Sequence, residues 1–264
     1  MLRMALLEGR SVVEGRRSHR VSAAQPGAQP GTPPDSLKPR GRVTKEAIAG
    51  LAALAVVLWL ALFVPAGALS FWQGWAYWLI FMSCVTAISV YFMRGDLTLI
   101  ENRLKTGPSA ETGNVQKLAQ VLLSLFFILL ILIPSLDHRF GWSSVPVYLV
   151  ALGDAFTAIG LAVIFLVFRE NSHASAVIKV NKGQEVVSTG PYSVVRHPMY
   201  SGALLMLLFT PLALGSFWGL LPFLGMFVTI AYRLRNEEQF LARNLPGYDE
   251  YRRKVRYRLI PFVW

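Results

Sequence analysis

A chain of 264 residues that is 54% hydrophobic and carries seven tryptophans falls outside the range of ordinary soluble domains. It has a formal net charge of +11, but the basic residues lie between apolar blocks and do not alternate with aromatics, which argues for membrane orientation and against a nucleic-acid surface. The single cysteine, Cys84, excludes an intrachain disulfide and a thiolate metal centre, and reads as a small buried hydrophobe.

Residues 1–45 are rich in Arg, Ser, Gly and Pro and include "AAQPGAQPGTPPDSLKPRG". Such a composition buries too little apolar surface to offset the entropy of ordering, so a disordered basic tail is predicted. "MALLEGRSVVEGRR" is too interrupted for the core of a signal peptide, and Glu8, Glu14 and Asp35 count against an organellar presequence.

Residues 46–168 contain four stretches that approach or exceed the ~20 helical residues needed to cross a hydrocarbon layer. They run from Ala47 to Leu69, Phe71 to Met93, Leu118 to Ser135 and Val145 to Phe168, the third being the shortest. Asp154 stands in the middle of the fourth, where a carboxylate is expensive in lipid and is either functional, hydrogen-bonded in helix packing or facing a wet cavity. The region 169–264 holds one more apolar run, Met199 to Tyr232, too long for one span and too short for two. Pro211 and Gly215 mark where it can turn as a tight helical hairpin. The fold class expected is therefore all-α: a polytopic membrane protein with four transmembrane helices, a C-terminal helical hairpin and a cytoplasmic pocket. With the N-terminus inside, Arg139 is the only one of the 26 Lys and Arg residues in an outer loop, which predicts both termini in the cytoplasm.

Two polar segments then emerge on one face. In "TGPYSVVRHPMYSG", Pro198 suits the first turn of a helix and His197 its start, where free amides and the positive end of the dipole suit a carboxylate or ribose hydroxyls. On the residues alone the favoured reading is the plainer one, with Arg196 and His197 as interfacial flanks of a span and Tyr192 and Tyr200 as belt aromatics. In "YRLRNEEQFLARNLPGYDEYRRKVRYRLIPFVW", Arg233 and Glu237 share a helix face about one turn, ~5.4 Å, apart. Glu238, Arg235 and Arg243 read as solvated charges. Tyr248 and Tyr251, after a Pro-Gly turn, predict a short amphipathic helix lying on the membrane, its basic run drawn to anionic lipid. His138 and His173 have no neighbours at metal-ligand spacing, and no phosphate-binding loop, dinucleotide fingerprint or hydrolase elbow is present.

"GPYSVVRHPMYSG", an apolar hairpin, "EEQFL", "GYDEY" and a basic tail ending in "RLIP" together resemble the isoprenylcysteine carboxyl methyltransferase and phospholipid methyltransferase superfamily of integral-membrane enzymes. The resemblance covers about Ser175 to Pro261. It implies S-adenosyl-L-methionine as methyl donor in a cytosol-facing pocket, and a lipophilic acceptor entering sideways from the bilayer. By position, the implied donor contacts are Gln184, Glu185, Val186, Val187, Tyr192, His197, Pro198, Met199, Tyr200 and Glu237, and the implied acceptor-facing group is Arg233. Within this resemblance the carboxyl O-methyltransferase branch is expected first and a phospholipid headgroup N-methyltransferase second. The contrasting classes are a membrane scaffold and a small transporter.

Overall fold

The computed structural model describes residues 39–104, 114–171 and 186–264, all of them helix or connecting segment. The expectations for Gln184, Glu185 and His173, and for the tail before residue 39, lie outside these residues. Among the described residues the order is α1 (Arg40–Ala66), α2 (Trp72–Gly95), α3 (Leu97–Leu104), α4 (Asn114–Phe140), α5 (Val147–Glu170), a 3-10 turn (Gly190–Ser193), α6 (Pro198–Ala213), α7 (Leu220–Asn244) and α8 (Tyr248–Lys254). Four helices are long and apolar enough to cross a membrane: α1, α2, α4 from Gln116, and α5. Many of their apolar side chains, such as Val56, Val57, Val64, Leu125 and Ile128, point outward and exposed, as a lipid-facing surface requires.

Three boundaries differ from the expectation. Helix α1 begins at Arg40, inside the segment expected to be tail, because Val43 and Ala47 are buried and carry the helix back through its polar first turn. The third span is not short: α4 runs 27 residues, passing through Pro134 and keeping "DHRF" helical. The reason lies in Asp137, which is buried and accepts from the backbone N–H and the hydroxyl of Ser143 and from the hydroxyl of Ser216. Those bonds tie the end of α4 to the hairpin loop and satisfy a carboxylate that would otherwise break the helix. The third difference is α3, a short helix between α2 and α4, whose Leu99 amide is capped by Asp96 Oδ1 at 3.1 Å.

The apolar hairpin forms as expected, with its turn between Ala213 and Leu220. Gly215 adopts φ 73°, a left-handed conformation that glycine enters at no steric cost. Pro211, in contrast, stays inside α6. Helices α5 and α6 pack backbone to backbone: a Cβ added to Gly160 would lie 2.6 Å from the carbonyl oxygen of Gly202. Such a seam of small residues is how helices associate in lipid, where no water remains to be expelled. It sets the start of α6 beside the end of α5, and the candidate site is built there.

Candidate functional site at the end of the bundle

At one end of the bundle the C-termini of α2 and α5, helix α3, the start of α6, the polar half of α7 and α8 converge. Pro198 occupies the first position of α6 and His197 its N-cap, as expected from the Arg-His-Pro motif. Segment 196–201 is held by the C-terminal tail. The Arg196 and His197 amides donate to the carbonyls of Tyr257 and Arg258, each at 2.9 Å, and the Ser201 hydroxyl donates to the Leu259 carbonyl at 2.6 Å.

Beneath this join lies Glu238, only 4% exposed, and the reading of it as a solvated charge is corrected. Its Oε1 accepts from Arg196 Nε at 2.6 Å and stands 3.4 Å from His197 Nε2, and its Oε2 accepts from Arg258 Nε at 2.8 Å. Arg196 also donates through Nη1 to the Val255 and Arg256 carbonyls, so it is not an interfacial flank either. Burial opposes the charge on Glu238, but hydrogen bonds from His197, Arg196 and Arg258 outweigh it and hold the carboxyl at about 2. The signal was present in the sequence: Glu238 lies four residues after Leu234 and three before Leu241, on the apolar stripe of α7.

Its neighbour Glu237 points elsewhere, because adjacent residues on a helix diverge by ~100°. Tyr200 links it to Arg233. The Tyr200 hydroxyl donates to Glu237 Oε2 at 2.8 Å and accepts from Arg233 Nε at 3.2 Å. Arg233 is 3% exposed and also reaches Gln120 Oε1 at 3.4 Å, which brings α4 into the site. The expected shared face of Arg233 and Glu237 is thus present, and a side chain from α6 bridges it.

Tyr192 sits on the 3-10 turn, where its hydroxyl accepts from Asn171 Nδ2 at 3.1 Å and its carbonyl accepts from the Tyr251 hydroxyl at 2.7 Å. Tyr248 and Tyr251 are buried, packing with Val186, Tyr192 and Leu245, so α8 turns its aromatic side to the protein and not to lipid. This corrects the membrane-surface reading of α8; its exposed side carries i,i+3 and i,i+4 pairs, Asp249 with Arg252 and Glu250 with Lys254. Val187 is half-buried beside Val186 at the edge of this group.

One residue had no signal in the sequence. Arg103 on α3 reaches into the site from outside the C-terminal region and donates through Nη2 to Met199 Sδ at 2.8 Å. Burial lowers its guanidinium to about 10, with Tyr192 and Tyr200 opposing the shift. Of the sequence candidates, Tyr192, His197, Met199, Tyr200, Arg233 and Glu237 are brought to this end of the bundle, and Val186 borders it through the α8 packing. His138 is not: it stacks on Phe71 with ring centroids 4.3 Å apart, at the opposite end. Asp154 lies within α5, buried, its Oδ1 without a hydrogen-bond partner among the described residues.

Residues 148–246, from the start of α5 to just beyond α7, match the family model for phospholipid methyltransferase. Over 79 residues the chain is 37% identical to the protein-S-isoprenylcysteine O-methyltransferase of Schizosaccharomyces pombe, an alignment covering 29% of this chain and 34% of that one. Both matches support a similarity of this part of the chain to the integral-membrane methyltransferases. A further similarity, 31% identity over 105 residues, relates the chain to the Delta(14)-sterol reductase of Mus musculus, over 37% of this chain and 25% of that protein. The chain spans about a third or less of the length of these curated relatives. The buried Arg196–Glu238 pair, the Tyr200 bridge and the small-residue seam all fall within the segment that matches the family model, whereas Arg103 and the tail that covers Arg196 fall outside it.

Proposed function

We propose that this protein is an integral-membrane S-adenosyl-L-methionine-dependent methyltransferase that esterifies a carboxylate on a lipophilic acceptor, with both termini in the cytoplasm. The observation that carries the reading is the Tyr200 hydroxyl between Glu237 and Arg233, which holds an acidic and a basic group side by side next to the start of α6.

The donor supplies an electrophilic methyl group on a sulfonium. Its fit rests on the chemistry gathered at this end: carboxylate Glu237, His197 at the start of α6, aromatic Tyr192, and two buried polar atoms without a hydrogen-bond partner among the described residues, Asn236 Nδ2 and Tyr248 Oη. A ligand rich in hydroxyl, amino and ring nitrogen groups complements such a set. Pro198, Met199 and Tyr200 place the first turn of α6 against it, and Val186 and Val187 give it an apolar edge, with Gln184 and Glu185 next in the chain. Arg233 presents a fork suited to a carboxylate, and Tyr200 fixes the direction of that fork by accepting from Nε. An ionised carboxylate needs no base to become nucleophilic, so alignment is the main requirement, and no His-Asp pair is needed. Glu238 does not face this chemistry; it locks α7, the α6 start and the tail into one body, which keeps Arg233 and Glu237 in place.

Isothermal titration of S-adenosylhomocysteine into purified protein tests the reading, followed by transfer of labelled methyl to native membrane extract separated into protein, lipid and small-molecule fractions. Saturable binding and base-labile label are expected. Base-stable label in the lipid fraction would instead point to headgroup N-methylation. The sterol reductase similarity favours a second reading, reduction of a lipophilic substrate, and saturable binding of a reduced nicotinamide nucleotide in place of S-adenosylhomocysteine would establish it. Orientation is tested separately: cysteines at Ser36 and Asp249 should resist an impermeant thiol reagent in sealed cells.

A further inference from the structure

A groove of about 1160 Å³ runs along the outer side of α2. Trp78, Met82 and Val90 make its wall within the span, and Arg94, Phe168 and Arg169 close it at the site end. Phe168 is shared between groove and site, because the Arg103 guanidinium lies 4.2 Å from its ring centroid and also touches Met199 Sδ. Arg103 therefore stands between an apolar channel open to lipid and the residues gathered around the start of α6.

Its own bonding is incomplete. A thioether is a weak acceptor, a ring face accepts no directed N–H bond from Nε, and the buried Nε has no hydrogen-bond partner among the described residues. No carboxylate pairs with Arg103 among them either. By contrast Arg196, buried at this end, spends its donors on Glu238 and two carbonyls. A half-buried guanidinium whose Nε is out of solvent and unpartnered is costly to the free protein, so its presence calls for an anion that arrives with a ligand.

We infer that Arg103 binds the carboxylate of a ligand at the seam between the α2 groove and the cytoplasmic pocket. That carboxylate belongs either to the amino-acid end of the methyl donor or to the acidic head of an amphiphile that enters along the groove. Arg94 and Arg169 at the groove mouth suit the second source by charge, and Met199, Tyr192 and Tyr200 suit the first by position. The inference rests on the methyltransferase reading for the choice of the first probe only.

The experiment compares wild type, Arg103→Gln and Arg103→Lys in two arms. The first arm titrates S-adenosylhomocysteine and its decarboxylated analogue. The second arm photolabels the protein in detergent with a diazirine fatty acid and with the chain-matched alcohol, mapping labelled peptides of α2 and α5. If Arg103 holds the donor, wild type prefers S-adenosylhomocysteine by tenfold or more, Arg103→Gln loses the preference, and Arg103→Lys keeps part of it. If it holds the amphiphile, the first arm is unchanged by substitution, and the excess labelling by the acid over the alcohol disappears in Arg103→Gln. Full retention in Arg103→Gln of every preference that wild type shows, or the absence of both preferences in wild type, overturns the inference. Failure of wild type to bind S-adenosylhomocysteine at all sinks the methyl-donor reading while the fatty-acid arm still decides the role of Arg103. A melting curve of ligand-free Arg103→Met adds a readout that a packing role would move the other way: removal of an unpaired, half-buried charge should raise the melting temperature, and a fall combined with unchanged preferences in Arg103→Gln counts against the inference.

Discussion

Arg196, just ahead of α6, and Glu238, 42 residues later on α7, form an ion pair of 2.6 Å with both side chains almost wholly out of solvent. The pair is completed by Arg258 from the tail and by two backbone carbonyls, so three segments distant in sequence meet on one carboxylate. A buried pair is poor evidence of net stability in itself, but removing one partner strands the other. Glu238→Gln should therefore lower the melting temperature in detergent and loosen the tail, read as faster proteolysis after Val255. The pH dependence follows from the sign of the shift. The carboxyl is depressed from 4.5 to about 2, so its contribution is complete above pH ~4.5 and is lost as the pH falls toward 2. A shift of this size corresponds to on the order of 3 kcal/mol, and the wild-type protein should lose about that much across the window while Glu238→Gln stays flat there.

Tyr200→Phe keeps the ring of Tyr200 and deletes the hydroxyl that joins Glu237 to Arg233. Loss of a hydrogen bond to charged groups costs ~1.5 to 3 kcal/mol, so donor affinity, acceptor turnover or both should fall by about tenfold or more. Arg233→Lys separates the two roles: acceptor kcat/KM should drop while S-adenosylhomocysteine affinity holds. An equal loss of donor affinity in Arg233→Lys and Glu237→Gln would place the arginine with the donor.

The α5–α6 seam has no room for a side chain at Gly160, since a Cβ there would lie 2.6 Å from the Gly202 carbonyl oxygen and 2.8 Å from the Met206 backbone nitrogen. Gly160→Leu should destabilise by more than ~2 kcal/mol and abolish donor binding, because spreading the seam displaces the start of α6. Gly50→Ala, on an exposed face of α1 with nothing within 4 Å of the new Cβ, is the control and should be neutral or slightly stabilising.

Asp154 lies 16 residues before Glu170, ~24 Å along α5 from the site. Its carboxyl is buried with one oxygen unpartnered among the described residues, a cost the protein bears without help from the residues gathered at the start of α6. Asp154→Leu should raise the melting temperature and leave S-adenosylhomocysteine affinity unchanged. A loss of affinity in this variant would show that the interior of α5 is coupled to the site.

The N-cap at His197 with Pro198 behind it, the turn at Gly215 and the one-turn spacing of Arg233 and Glu237 are all legible in the sequence, because each depends on the local backbone or on helical period. The membrane-facing reading of Tyr248 and Tyr251 fails for a physical reason. An amphipathic helix presents an apolar side to lipid or to protein with the same pattern, and here Tyr192 and Leu245 cover it first.

Local chemistry thus determined from the sequence alone that this is a helical membrane protein with a polar C-terminal region, and which short motifs mark that region. The tertiary structure alone decided that Arg196 and Arg258 are the partners of Glu238, that Tyr200 stands between Arg233 and Glu237, and that Arg103 reaches Met199 across 96 positions of sequence. Periodicity reports the face of a helix on which a side chain lies, but the partner on that face is set by how distant helices pack, and here the close approach of α5 and α6 at Gly160 and Gly202 sets it.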